Sequence, residues 1–168
     1  MPEMLRHYLY PSTLKVSKQP MEIHTILGSC VAVCLFDRAS GTGGMNHFML
    51  PYWNGRGLAS PKYGNIALQR LIDRMLSMGS QKENLIAKVF GGGNVLESSS
   101  RSNDIGQRNI ITAIDLLEEY GIPVASKSTG GELGRKIIFE TQTGRVKQRY
   151  INRMRMREMP VPEMRKKS

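Results

Sequence analysis

Only two of the 168 residues are cysteine, and only one is tryptophan. Cys30 and Cys34 offer no disulfide framework. On one extended strand, four positions apart, their Cα atoms lie about 13 Å from each other, whereas a disulfide needs about 4.4–6.8 Å. They read as free thiols of a reducing compartment. No apolar run approaches the roughly 20 residues that span a bilayer. The opening residues, MPEMLRHYLYP, place Glu3, Arg6 and His7 where a signal peptide would be apolar. The expectation is a soluble, cytoplasmic chain with no membrane insertion. Internal repeats and low-complexity stretches are missing, as are GxGxxG and the Walker-type phosphate loop, so a nucleotide site has no motif to rest on. No CxxC or HxxxH spacing supports zinc, although His7 and His24 stand available beside Cys30, Cys34 and His47. Asp37 and Glu97 are single carboxylates without a partner, which argues against a two-carboxylate hydrolase.

What is present is an ordinary globular composition, 40% hydrophobic and 23% charged, with a formal net charge of +10. The charge is unevenly spread. Residues 1–146 hold 16 Lys and Arg against 12 Asp and Glu, whereas residues 147–168 hold 8 against 2. Most of the excess therefore belongs to the end of the chain. Residues 152–168 alternate Met with Arg, contain two prolines and have no aromatic residue between the charges on which a base could stack. The expected organisation is one domain over residues 1–151 and a basic tail over 152–168. No specific nucleic-acid partner is expected.

Two helices stand out. The first is expected from Ser60 as N-cap and Pro61 at the first helical position to Gly79, with Tyr63, Ile66, Ala67, Leu71, Ile72, Met75 and Leu76 as its apolar stripe. The second opens at Asp104, with Gln107 as a capping-box partner, and ends at Gly121 and Pro123. Its stripe is Ile110, Ile111, Ile114, Leu117 and Tyr120. Strand patterns fall at 5–10 and 13–16, expected to pair with each other, and at 22–27, 31–36, 45–50, 84–90, 122–127, 136–141 and 145–151. The last two flank Gln142-Thr143-Gly144 as a hairpin. Strands outnumber helices and do not alternate with them. The fold class expected is α+β, a layered sandwich of mixed β-sheets with two long amphipathic helices packed outside.

The stretch that could carry chemistry is Leu27-Gly28-Ser29-Cys30, with His47 seventeen residues later. A thiol attacks as thiolate and needs a group that takes its proton; an imidazole does so near neutral pH. Gly28 and Ser29 interrupt the strand pattern, so Cys30 can stand at a strand end, where backbone N–H groups are natural donors to an oxyanion. The bland alternative stays open at this point: cysteine is among the most buried residue types, and Cys34 inside VAVCLF reads as core. Gly91-Gly92-Gly93 and Gly130-Gly131 read as close backbone approaches or positive-φ turns.

The string Leu27-Gly28-Ser29-Cys30-Val31-Ala32-Val33-Cys34 resembles the signature of the bacterial chemoreceptor glutamine deamidases, the CheD family. So does Gly44 leading through His47 to Met49-Leu50-Pro51. Lys62-Tyr63, Gly91-Gly92-Gly93, Ile105-Gly106-Gln107-Arg108-Asn109, Thr129-Gly130-Gly131 and Thr143-Gly144 are similar segments, in order, over roughly residues 8–150. The resemblance implies a cysteine-hydrolase-like deamidase fold and a protein-glutamine glutaminase acting on the cytoplasmic region of methyl-accepting chemotaxis receptors. Cys30 would be the nucleophile and His47 the general base and then acid. Backbone at Gly28 and Ser29 would hold the oxyanion, and no cofactor or metal would be needed. The family's third residue, a threonine upstream of the cysteine, falls on Thr25 or one place away on His24. Thr25 is preferred because its hydroxyl can accept from the ring N–H of His47. The resemblance also implies a chemotaxis phosphatase of the CheC type as partner, and hence an alternative role as its regulatory binding module. Ser128 stands where the family often has an acidic residue.

Overall fold

A computed structural model describes residues 4–95 and 104–152. Glu97 and the basic segment after Asn152 lie outside the described residues. Nine strands and two α-helices follow in the order β1 (Leu5–Tyr8), β2 (Thr13–Ser17), β3 (Met21–Leu27), β4 (Val31–Asp37), β5 (Gly43–His47), α1 (Gly64–Ser77), β6 (Leu85–Gly91), α2 (Ile105–Tyr120), β7 (Val124–Thr129), β8 (Gly134–Glu140) and β9 (Val146–Ile151). They build a four-stranded sheet in the order β1-β3-β8-β9 and a five-stranded sheet in the order β2-β5-β4-β6-β7. Both sheets are mixed: β1 runs parallel to β3, and β7 parallel to β6, while the other neighbours are antiparallel.

The alternation of β4 explains the layering. Its residues point to opposite faces in turn. Val31, Val33 and Leu35 join a core with Ala67, Leu68, Leu71 and Met75 of α1 and Ile110, Ala113 and Leu117 of α2. Ala32 and Cys34 face the other way, into a second core with Ile23 and Leu27 of β3 and Ile137 and Phe139 of β8. The four-stranded sheet thus packs on one face of the five-stranded sheet and both helices on the other. This is the layered α+β sandwich read from the sequence, with the helices together on a single side.

Several local expectations change. The two N-terminal strands do not pair with each other; each joins a different sheet. Between them Leu9 is fully buried in the inter-sheet core, and Ser12, at φ 68°, turns the chain from one sheet to the other. The first helix begins at Gly64 with Tyr63 as N-cap, not at Ser60. The carbonyl of Lys62 accepts the N–H groups of Met49 (2.8 Å) and Leu50 (3.1 Å), and Tyr63 bridges Leu50. The bridge to Leu50 holds Tyr63 extended, and the Tyr63 N–H donates to the Ser60 carbonyl (3.1 Å), so residues 60–63 form only a turn. Gly64, the first helical residue, packs so close to Phe48 that a Cβ there would lie 2.7 Å from its ring. The apolar stripes shift accordingly. Leu76 is 39% exposed and Ile111 48% exposed, while Leu68, Ala113 and Leu116 are buried in their place. Asp104 caps α2 without a side-chain hydrogen bond, so the capping box does not form; Gly121 ends the helix in the left-handed conformation at φ 74°.

Candidate active site

Cys30 and His47 sit on adjacent strands in one register. Val31 bridges Phe48 with both N–H···O bonds exchanged (3.1 and 2.9 Å), and Cys34 faces Met45 farther along. The same register sets Ala32 opposite His47 and Cys30 opposite Met49. Cys30 and His47 are therefore diagonal neighbours on one sheet face, at about 7–8 Å between backbones. That face is the one covered by the four-stranded sheet. Cys30, at the strand end, is only partly buried, whereas His47 is 2% exposed.

Thr25 reaches the ring from the opposite sheet. It lies on the inward face of β3, between Ile23 and Leu27, and is fully buried. Its Oγ1 is 2.8 Å from the carbonyl oxygen of Leu9 and 2.7 Å from Nδ1 of His47. A hydroxyl has one proton. Because the Leu9 carbonyl can only accept, that proton is directed to Leu9, and toward Nδ1 the hydroxyl must accept. His47 is thereby held with hydrogen on Nδ1 and a bare lone pair on Nε2, a buried atom with no hydrogen-bond partner among the described residues. His24, one residue away, points to the other face of β3, where its Nε2 lies 3.3 Å from Oε1 of Glu22. The structure brings Thr25 onto the imidazole and leaves His24 on the outer face.

Burial sets the protonation states. It pushes the Cys30 thiol up to about 11, opposed in part by a hydrogen bond from its own peptide N–H, and pulls His47 down to about 4. At neutral pH the resting pair is a thiol and a neutral imidazole, not an ion pair. Cys34 is raised further by full burial, with Lys88 opposing weakly, and its position in the inter-sheet core fits a packing role.

The turn before Cys30 is held by its carbonyls. Gly28 accepts from the N–H of Gly93 (2.9 Å), Cys30 from the N–H of Gly92 (2.8 Å), and Ser29 from the Asn109 side chain (3.1 Å). The triple glycine makes this possible. At Gly91, with φ +107°, a Cβ would stand 2.2 Å from the Cys30 carbonyl oxygen, and at Gly92, with φ +71°, one would strike Ile110 at 2.3 Å. These glycines serve a close backbone approach. Asp37 is spent on its own turn, accepting the N–H groups of Ala39 (2.8 Å) and Ser40 (3.2 Å). Among the described residues, no three His, Cys, Asp or Glu side chains gather as a metal-ligand set, and no helix is long and apolar enough to cross a membrane.

A family model described as CheD chemotactic sensory transduction matches residues 49–150, more than half of the chain. The chain belongs to the CheD family. A relative from Trichlorobacter lovleyi, named "Probable chemoreceptor glutamine deamidase CheD", is 55% identical over 139 residues, 83% of this chain and 86% of that protein. The protein of the same name from Sulfurimonas denitrificans is 43% identical over 152 residues, covering 90% and 97%. Among solved structures, the Bacillus licheniformis hypothetical protein YfiH superposes with a TM-score of 0.47 at 15% identity, over 68% of this chain and 49% of that one. In this CheD-family domain the residue that sequence reasoning left without a role is Asn109. It stands in the segment Ile105-Gly106-Gln107-Arg108-Asn109, and its signal was a polar residue one place before the apolar run of α2.

Proposed function

We propose that this chain is a protein-glutamine glutaminase that converts glutamine side chains of chemoreceptors to glutamate, with Cys30 as nucleophile and His47 as general base and acid. One observation carries the reading. Thr25 fixes the Nδ1–H tautomer of His47, so the lone pair of Nε2 is available on the same sheet face as the Cys30 thiol.

The steps follow from the protonation states. As the thiol sulfur of Cys30 bonds to the carboxamide carbon, its proton passes to Nε2 of His47, since no thiolate is stored beforehand. The negative charge moves to the carboxamide oxygen, where the peptide N–H of Cys30 donates to it. The C–N bond then breaks, the imidazolium returns its proton to the leaving nitrogen, and ammonia departs from a thioester. Water attacks that carbon while Nε2 takes one of its protons. The C–S bond breaks, the thiolate recovers the proton from His47, and a glutamate side chain is released. Thr25 stabilises the imidazolium in both halves by accepting from Nδ1–H. The domain that does this comprises residues 1–151, with the basic tail outside the chemistry.

The test incubates the protein with a chemoreceptor cytoplasmic fragment and follows ammonia release, with amide-to-acid conversion located by mass spectrometry. Cys30→Ala and His47→Ala are expected to abolish both signals. Unchanged rates in either variant would refute the mechanism. Tight binding of a chemotaxis phosphatase by a wild-type protein that releases no ammonia would favour a regulatory binding module instead.

A further inference from the structure

We propose that Asn109 is a positioning residue of the thiol site: it locks the Ser29–Cys30 peptide so that the Cys30 N–H faces the developing oxyanion, and it ties that turn to the strand extension that follows His47. The proposal rests on the glutaminase reading above. Asn109 is fully buried on the inner side of α2. Its Nδ2 donates to the carbonyl oxygens of Ser29 (3.1 Å) and Met49 (3.0 Å). Both acceptors are carbonyls, so only the amide's NH2 end can serve them, and both of its protons are used.

These two carbonyls flank the chemistry. Ser29 precedes the nucleophile, and Met49 lies two residues past His47, opposite Cys30 in the strand register. In a trans peptide the C=O of one residue and the N–H of the next point in opposite directions. Fixing the Ser29 carbonyl toward α2 therefore turns the Cys30 N–H away from the helix. That N–H already lies close enough to the Cys30 sulfur to oppose the rise of its pKa. An oxyanion formed on a carbon bonded to this sulfur would meet the same donor.

Stability alone is a poor account of the residue. The Oδ1 of Asn109 has no partner among the described residues, and a buried acceptor left unsatisfied is destabilising. An amide stands here although its oxygen has no partner among the described residues, and its other end engages the two backbone segments that carry the thiol and the imidazole.

The experiment compares wild type with Asn109→Leu and Asn109→Gln by three readouts. Asn109→Leu is expected to lower kcat about tenfold to a hundredfold, below the 10²–10³ seen when an oxyanion donor is removed outright, with KM within threefold. Alkylation of Cys30 by iodoacetamide builds no oxyanion, so its rate should fall less than kcat does, by no more than the thiolate loses from its own peptide N–H. Asn109→Gln, which keeps the NH2 group, should recover part of kcat. If alkylation slows as much as kcat, or if KM carries the loss, the proposal is overturned. If Asn109→Leu does not fold, wild type decides. The side-chain NH2 protons of Asn109 should exchange with solvent at least a hundredfold more slowly than those of exposed Asn54, and equal exchange would refute the two bonds. The alkylation and exchange measurements need no turnover, so a wild type that releases no ammonia would sink the glutaminase reading while leaving this geometry separately decided.

Discussion

Replacing Thr25 by valine keeps the shape of the side chain and deletes one oxygen. Two buried groups then lose their partner: the carbonyl of Leu9, fully buried, and the Nδ1–H of His47, which is 2% exposed. A buried polar group left unsatisfied costs about 1–3 kcal/mol, so the pair should remove about 2–6 kcal/mol from a fold of typical stability, about 5–15 kcal/mol. The second consequence is catalytic. Without an acceptor at Nδ1, the ring can move its proton to Nε2 or rotate, and the competent form falls by the energy of the lost bond. At 1–3 kcal/mol that is about 5–150-fold in kcat. KM should hardly move, because Thr25 sits behind the ring and away from the surface. Thr25→Ser, which retains the hydroxyl, should recover most of both losses. Ammonia release from a receptor fragment gives the kinetic constants, and urea unfolding gives the stability. Nitrogen NMR of labelled histidine reads the tautomer directly. A folded Thr25→Val protein with kcat within threefold of wild type would refute the reasoning, as would a wild-type spectrum with the proton on Nε2.

Two further predictions concern charge. His47 titrates near 4 in the folded chain and near 6.5 when unfolded. Between those values the unfolded state holds a proton that the native state refuses, so stability should fall as pH drops from about 6.5 to about 4, by roughly 3 kcal/mol. His47→Gln should lack that part of the slope in urea titrations at stepped pH, and parallel curves for the two proteins would contradict it. Arg135 is 1% exposed, with its guanidinium on the Ser128 hydroxyl (3.1 Å) and on the carbonyls of Ser128 and Gly130. No carboxylate pairs with it among the described residues. Ser128→Asp should supply a charge-assisted bond and raise stability by about 1 kcal/mol, read as a higher urea midpoint; an unchanged or lower midpoint would count against it.

The sheet sandwich was legible because alternation in MEIHTIL and VAVCLF reports strands, and the capped, periodic segments report helices. What alternation does not report is which strands pair. The strand patterns at 5–10 and 13–16 read as one pairing in sequence, yet Leu9 and Ser12 send the two strands to different sheets. Ser60-Pro61 carries a strong helix-start signal and is overruled by the long-range bridge between Tyr63 and Leu50. The site divides the same way. Cys30 and His47 could be picked out because a thiol after Gly-Ser and an imidazole on a short strand are chemically conspicuous. Hydroxyl chemistry favoured Thr25 over His24, but their placement is separated by parity on β3, which becomes visible once Ile23 and Leu27 are known to face inward. Asn109 gave only the weak signal of a polar residue beside an apolar run, because its partners are backbone carbonyls 80 and 60 residues away.

The pairing of β3 with β8 has a consequence for the order in which the protein can be made. The strands bearing Cys30 and His47 are neighbours in sequence and can associate as soon as they leave the ribosome. Thr25, by contrast, rides on a strand whose inner neighbour is Gly134–Glu140, more than a hundred residues downstream. Until that stretch has emerged, β3 has only the short β1 beside it, and non-local pairing of this kind is slow to form. The nascent chain would therefore carry its thiol and its imidazole long before the support that fixes the ring tautomer. Such a chain lacks the fixed imidazole tautomer until the last quarter of the domain is in place.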